Sequence, residues 1–322
     1  MSAAKWSFFS FLCGRTVLIC LLLAVFPAFA DGGLFCTKCG NAIRPGQRYL
    51  VSNGKTYCSR KCYIQTLPEC TICRRRSFNG GIYASDDSYF ACPDCMKLPR
   101  CFSCQIPVRE GAELSGGRVI CPVCARTSIS SLQQAQSIFN EVRNTMRFSL
   151  GIVTKHPIRF SLTDIETLHR LSGGKSDQMV EQGLFRYNVD VERVTTRDYL
   201  GRKVGEKIYK KNETIEIFVL DYLPRTRMEY VMAHELAHDW MTAFYPGIRE
   251  DWIKEGVAEY LAWRYNQYKK RHDLNHRIER NTDPVYGEGF RRIRDMVNKR
   301  GFKGLKEFLA YKSKQSLNRN KK

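Results

Sequence analysis

After Cys124 the chain contains no further cysteine, so whatever its thiols do is confined to the N-terminal part. Acidic residues are also in short supply: 32 Asp and Glu face 52 Lys and Arg, a formal net charge of +20 over 322 residues. Such an excess favours acidic partners or surfaces. The basic runs Arg74–Arg76, Lys269–Arg271, Arg291–Arg292 and Lys321–Lys322 are nonetheless scattered and not gathered into one recognition helix, so nucleic acid is not the expected partner. Long apolar runs are missing too. The one candidate, Val17 to Phe26, falls short of the ~20 residues that cross a bilayer. With Lys5 and Arg15 around its start and Ala28-Phe29-Ala30 after it, this stretch has the layout of a secretory signal peptide over residues 1–30. The expectation is an exported protein, secreted or periplasmic, that begins at Asp31 and keeps no stable membrane span after cleavage. Apolar material as such is not lacking: 43% hydrophobic and 12% aromatic residues exclude a disordered chain and suffice for two or three cored domains.

Two cysteines, Cys13 and Cys20, fall in the leader, and the other twelve form three sets of four. They are Cys36, Cys39, Cys58 and Cys62; Cys70, Cys73, Cys92 and Cys95; and Cys101, Cys104, Cys121 and Cys124. In each set two close pairs are separated by sixteen or eighteen residues, the spacing at which two short knuckles meet around one tetrahedral zinc. Arg44–Tyr49, Gly81–Tyr83 and Val108–Gly111 lie between the knuckles and read as turns into short hairpins, so the sets form an internal repeat. Export favours disulfides. A bridge within a close pair would close only a tiny loop and staple little, so zinc is the preferred reading over a disulfide framework. Closed four-cysteine sites keep no open position, which makes these three metals structural and the modules a possible surface for a protein partner.

A different metal chemistry is written into Val231-Met-Ala-His234-Glu235-Leu-Ala-His238-Asp-Trp240. On a helix, His234 and His238 project from one face one turn apart, and two neutral imidazoles so placed can share a zinc. Glu235 is then the general base for a metal-activated water, as peptide-bond hydrolysis requires. A hydrolytic zinc needs a third protein ligand, and Glu255, after sixteen intervening residues beyond His238, is the best-placed candidate. It lies on a second helical pattern with Trp252, Ile253, Val257, Tyr260 and Leu261, after a Pro246-Gly247 turn. One helical turn on, Glu259 faces the same site and can accept the free N–H of a ligating imidazole. Tyr286, His272 and His276 are candidates for a donor to the oxyanion, and no spacing selects among them.

Leu132 to Phe148 has helical periodicity, with Ile138, Val142 and Met146 on one face. Strands are expected at 156–160 and 185–194 and a short helix at 164–171, while His156 and His169 do not stand at ligand spacing. Thr214–Leu220 reads as a half-buried strand beside the metal helix that could offer its edge to an extended peptide. The C-terminal part reads as two helices interrupted by glycines.

Tandem four-cysteine modules, a linking helix, HELAH, KEGVAEY and the block YGEGF…GLKEFL together resemble the plant LIM-domain peptidases that regulate organ growth and their bacterial relatives. The similarity covers roughly residues 34–312. It implies an α+β chain in which a gluzincin-like metallopeptidase domain, 151–315, follows LIM-like modules, 34–126, and a linking helix, 130–150. It also implies one catalytic zinc on His234, His238 and Glu255, structural zinc in the LIM-like modules, and protein or peptide substrates. The chain departs from that pattern in four ways: no ubiquitin-interacting helices, the expected export, a third cysteine set, and an x3 spacing between Cys58 and Cys62. The competing reading is a non-catalytic zinc-module adaptor that binds protein or nucleic acid.

Overall fold

Each cysteine set folds by the same hydrogen bonds in the computed structural model, which describes residues 2–3, 33–84, 89–173 and 182–319. Nearly all of the expected signal peptide lies outside these residues. In the three knuckles the first cysteine's carbonyl accepts from the residue after the second cysteine: Gly40, Arg74 and Gln105 donate to Cys36, Cys70 and Cys101 at 2.8 Å. That geometry needs a left-handed residue, and the three have φ of 73°, 60° and 65°. A hairpin follows each knuckle: β1 (Leu50–Ser52) with β2 (Lys55–Tyr57), β3 (Ile82–Tyr83) with β4 (Phe90–Ala91), and β5 (Ala112–Leu114) with β6 (Arg118–Ile120). The second knuckle then opens a short helix, α1 (Arg60–Ile64), α2 (Pro93–Met96) or α3 (Pro122–Thr127). Between them the modules bury little. The first packs Tyr57, Tyr63 and Leu67 around Cys36, and the second packs Tyr89 and Ala91 around Cys70, Cys92 and Cys95.

The chain divides into two compact units, with the modules in one and everything from Thr127 onward in the other. The second unit opens with α4 (Leu132–Leu150), whose buried stripe Ala135, Ile138, Phe139, Val142 and Met146 matches the periodicity read from the sequence. Strand β7 (Ile158–Thr163), helix α5 (Ile165–Ser172), and the long strands β8 (Gly183–Arg197) and β9 (Lys203–Leu220) follow. Asp164 caps α5 by accepting from Thr167 N at 2.8 Å. Strand β9 is interior to the sheet: it runs antiparallel to β8, and its end, Ile215 to Leu220, runs parallel to β7. Both flanks of Thr214–Leu220 are therefore hydrogen-bonded, and the expectation that this stretch offers an edge is corrected. The other flank of β8 is taken at Phe185 and Leu184 by Ser2–Ala3, which pairs with them antiparallel.

At the centre lies α6 (Arg225–Phe244), in which every residue from Met228 to Met241 is buried. A helix buried all round must satisfy its own charged groups. Glu229 does so by accepting from Tyr265 Oη at 2.7 Å, Arg271 at 2.8 Å and Arg225 at 2.8 Å. Asp239 does so with His156 Nδ1 at 2.6 Å. The chain reverses through Pro246-Gly247, with φ of 85° at the glycine, into α7 (Asp251–Tyr268). Helix α8 (His272–Glu279) leads to α9 (Gly287–Arg319), which breaks at Gly301 (φ 66°) into the two expected helices. Helices α7 and α9 cross where glycines face each other. A methyl at Gly256 would stand 2.5 Å from the Gly289 carbonyl carbon, and one at Gly289 would stand 2.6 Å from Trp252 O. Among the described residues no helix is long and apolar enough to cross a membrane.

Candidate metal centre

The helical spacing in α6 and the turn into α7 bring three side chains to one point. His238 Nε2 lies 3.2 Å from His234 Nε2, and Glu255 Oε2 lies 3.3 Å from His234 Nε2 and 3.4 Å from His238 Nε2. Ligand atoms at about 2.05 Å from a tetrahedral zinc stand about 3.3 Å apart, so the donor set fits that ion. Its protonation fits as well. Burial lowers the His234 pKa to about 4, against the pull of Glu255, which leaves a neutral imidazole with a lone pair to give at pH 7. Burial acts in the opposite sense on Glu255, but His238 and His234 hold that carboxyl well below the usual carboxylate range. All three are buried, and so is Glu235. Two imidazole nitrogens and an ionised carboxylate packed this closely are a ligand set for a cation.

Around them stand residues that shape the site. Glu259 Oε1 lies 3.6 Å from His234 Nδ1, just beyond a hydrogen bond, and its Oε2 accepts from Tyr230 Oη at 2.5 Å. Burial pushes the Glu259 carboxyl up to about 8, with the Tyr230 hydrogen bond acting the other way. Tyr230 went unnoticed in the sequence although it precedes His234 by one helical turn and so shares its face. Gly183 was also missed. A methyl there would stand 2.5 Å from Val231 Cγ1 and closer still to Glu235 Oε1, so only glycine lets β8 start against the Glu235 carboxylate. No spacing rule could have found this contact between a strand start and a helix. Of the three candidate oxyanion donors, Tyr286 is brought to the site, its ring stacked 6.5 Å from that of His234. His272 and His276 are exposed on α8. His156 and His169 are outside the ligand set, as expected, although His156 anchors Asp239 next to His238. Beside His238 opens a cavity of about 280 Å³ lined by Phe185, Tyr187, Met241, Tyr245 and Ile248, with Lys210 and Lys254 among its polar walls.

The twelve cysteines converge as three separate sets, and in each the sulfurs lie within 4.8 Å of one another. Cys39 and Cys58, Cys58 and Cys62, Cys73 and Cys92, and Cys104 and Cys121 are 3.6, 3.6, 3.9 and 4.0 Å apart. Thiolates at about 2.3 Å from a tetrahedral zinc stand about 3.8 Å apart, so these sets too fit zinc, and all twelve are free thiols. Within a set the sulfurs compete for protons. Hydrogen bonds to Cys39 and Cys62, together with burial, push Cys58 up to about 12; for Cys36 the effect of burial is outweighed by backbone N–H donors, bringing it down to about 6. In the second set Arg109 donates to Cys95 Sγ at 3.4 Å.

Fold and site together define a mixed α/β protein with three zinc-type four-cysteine modules and one buried His-His-Glu group. The chain is similar to Protein DA1 of Arabidopsis thaliana, 23% identical over 333 residues that cover 85% of this chain and 62% of the relative. It is 27% identical to Protein DA1-related 2 of Arabidopsis thaliana over 259 residues, covering 71% of this chain and 48% of the relative. To the LIM domain-containing protein HDR3 of Oryza sativa subsp. japonica it is 21% identical over 344 residues, covering 83% of this chain and 66% of that protein. The chain thus spans about half to two thirds of the length of the curated relatives it matches. No protein-family model and no solved structure matches it.

Proposed function

We propose that this protein is a zinc-dependent endopeptidase of gluzincin type, with His234, His238 and Glu255 as metal ligands and Glu235 as general base. The observation that carries this reading is the convergence of two helical histidines and a carboxylate from the next helix at tetrahedral spacing, with Glu235 buried beside them. Zinc held there supplies a Lewis acid for a peptide carbonyl and acidifies the attacking water. Glu235, fixed between α6 and the start of β8, takes the proton of that water and returns it to the leaving amine. Tyr286 is the donor for the developing oxyanion, and Tyr230 and Glu259 hold the His234 ring. Removal of the leader would take Ser2–Ala3 away from Phe185 and Leu184 and leave that flank of β8 to pair with an extended substrate backbone, and the cavity beside His238 takes a side chain. The four-cysteine modules hold structural zinc and act as scaffold or client-binding surface. The signal-peptide layout of residues 1–30 supports an exported enzyme with clients outside the cytoplasm.

The test is the pair Glu235→Gln and His238→Ala, with bound zinc and cleavage of a protein library measured on each. Glu235→Gln keeps zinc and loses hydrolysis; His238→Ala loses both. Proteolysis that persists in Glu235→Gln refutes the mechanism, and a wild-type chain that carries zinc yet cleaves nothing favours the adaptor reading.

A further inference from the structure

Strands β8 and β9 are far longer than the sheet that holds them. β7 pairs with β9 only from Ile215 onward, so the remainder projects as a two-stranded ribbon. From Asp190 to Glu213 the described side chains are exposed, apart from half-buried positions at Asp198 and Gly205. Ten residues of strand from Asn188 to Arg197 reach about 30 Å. Among the described residues from Asp190 to Glu213 none is buried, so core packing does not account for the projection, and its cost in ordered backbone is real.

The apex is built with care. Asp198 Oδ1 accepts from Leu200 N and Arg202 N, both at 2.9 Å, and its Oδ2 accepts from Arg202 Nε at 2.8 Å. Arg197 closes the turn on the Gly201 carbonyl at 2.8 Å, and Gly201 takes φ of 75°. This fixed turn presents Tyr199, 93% exposed, and Leu200, 59% exposed, at the far end, and Val204 just below them is 62% exposed. Behind them, Arg193, Arg197, Arg202, Lys203 and Lys207 outnumber Asp198 and Glu206 by three charges. Cross-strand pairing sets Lys207 opposite Val194 and Arg193 opposite Ile208, so cations stand on both faces of the ribbon.

We propose that this apex docks into the headgroup layer of an anionic phospholipid membrane. A convex tip of one aromatic and one aliphatic side chain needs a pocket if the partner is a protein, and needs none in a bilayer interface. Tyrosine suits the boundary between headgroups and chains, with its ring apolar and its hydroxyl wet. A collar of charge on both faces matches a plane of anionic headgroups that surrounds the tip, whereas a protein partner would call for charge on one face. The inference does not depend on the peptidase reading, because the ribbon apex shares no residue with the metal centre.

The experiment is co-sedimentation of the full chain with vesicles of phosphatidylcholine alone or with roughly 30% phosphatidylglycerol. Three net charges, each worth about fivefold in partition, give about a hundredfold preference for the anionic vesicles at low salt, which disappears at about 1 M salt. Arg193→Gln with Lys207→Gln weakens binding about twenty-five-fold by the same factor. Tyr199→Ser with Leu200→Ser abolishes it, while zinc content stays at the wild-type level. A tryptophan placed by Tyr199→Trp shifts its emission to the blue on anionic vesicles. Equal binding to both vesicle types, retention of binding by the Tyr199/Leu200 variant, or an unshifted tryptophan overturns the proposal. So does tip-dependent binding to an acidic protein with no binding to vesicles.

Discussion

Gly183→Ala is the sharpest perturbation the site offers, because it adds one methyl group and touches no candidate ligand. The new Cβ lies 2.5 Å from Val231 Cγ1, 3.0 Å from Glu235 Cδ and closer than either to Glu235 Oε1. Carbon contacts relax at about 3.5–4.0 Å, so about 1 Å must be recovered. Strand β8 is held by its register to β9, with Gly183 opposite Val219, and α6 is buried all round, so neither backbone yields readily. The Glu235 carboxylate is therefore the group that must turn. A displacement of about 1 Å in a reacting group costs about a hundredfold in rate, or about 2.7 kcal/mol of transition-state stabilisation. Overpacking adds about 1–3 kcal/mol of lost stability. The assay is turnover of a cleaved peptide at saturating substrate, alongside zinc content and a urea unfolding curve. The expected result is wild-type zinc content, a modest fall in urea midpoint and a rate down about a hundredfold. Gly205→Ala is the control for placing alanine in the same pair of strands, because its Cβ meets only Thr196 Cβ at 3.9 Å. Wild-type turnover by a folded, zinc-loaded Gly183→Ala protein would refute the assignment of Glu235 as a positioned base.

Gly256→Ala drives a methyl into the Gly289 backbone at the crossing of α7 and α9, which lowers stability by about 1–3 kcal/mol in urea melts, with no change in the four-cysteine modules. Asp164→Ala removes the α5 cap and costs about 1 kcal/mol at pH 7. The folded Asp164 pKa is lowered, chiefly by the Thr167 backbone hydrogen bond, so this contribution is present above the unfolded value near 3.9 and is lost as pH falls through the folded one; unfolding curves of the two proteins should converge in acid. Chelation of zinc should unfold the four-cysteine modules, whose cores hold only a few side chains each, because structural zinc contributes about 10–16 kcal/mol in such domains. Limited proteolysis then cuts within residues 33–126, and twelve thiols become titratable.

Local pattern was legible wherever spacing alone sets geometry. Cys-x2-Cys fixes a knuckle, His-x3-His fixes two imidazoles on one helical face, and a Pro-Gly pair reverses the chain, so these pieces stand where the sequence put them. The left-handed residue after each first knuckle is glycine only in Gly40; Arg74 and Gln105 hide the same turn behind ordinary side chains. Thr214–Leu220 was recognised as a strand, yet its place inside the sheet depends on β7 and β8 flanking it, and strand order leaves no mark in a single strand's alternation.

What the sequence by itself determined is therefore the donor chemistry: twelve thiols in three sets, two histidines one turn apart, and a carboxylate on the following helix. What only the tertiary structure decided is which distant groups close around those donors. Gly183 meets Glu235 across a strand–helix contact, Gly256 meets Gly289 at a helix crossing, Tyr286 comes to stack beside His234, and His156 reaches Asp239 across 83 residues of chain. The reason is physical. Periodicity along the chain encodes which face a residue takes, whereas contact between faces is set by the packing of whole elements, in which a missing Cβ matters as much as any side chain present.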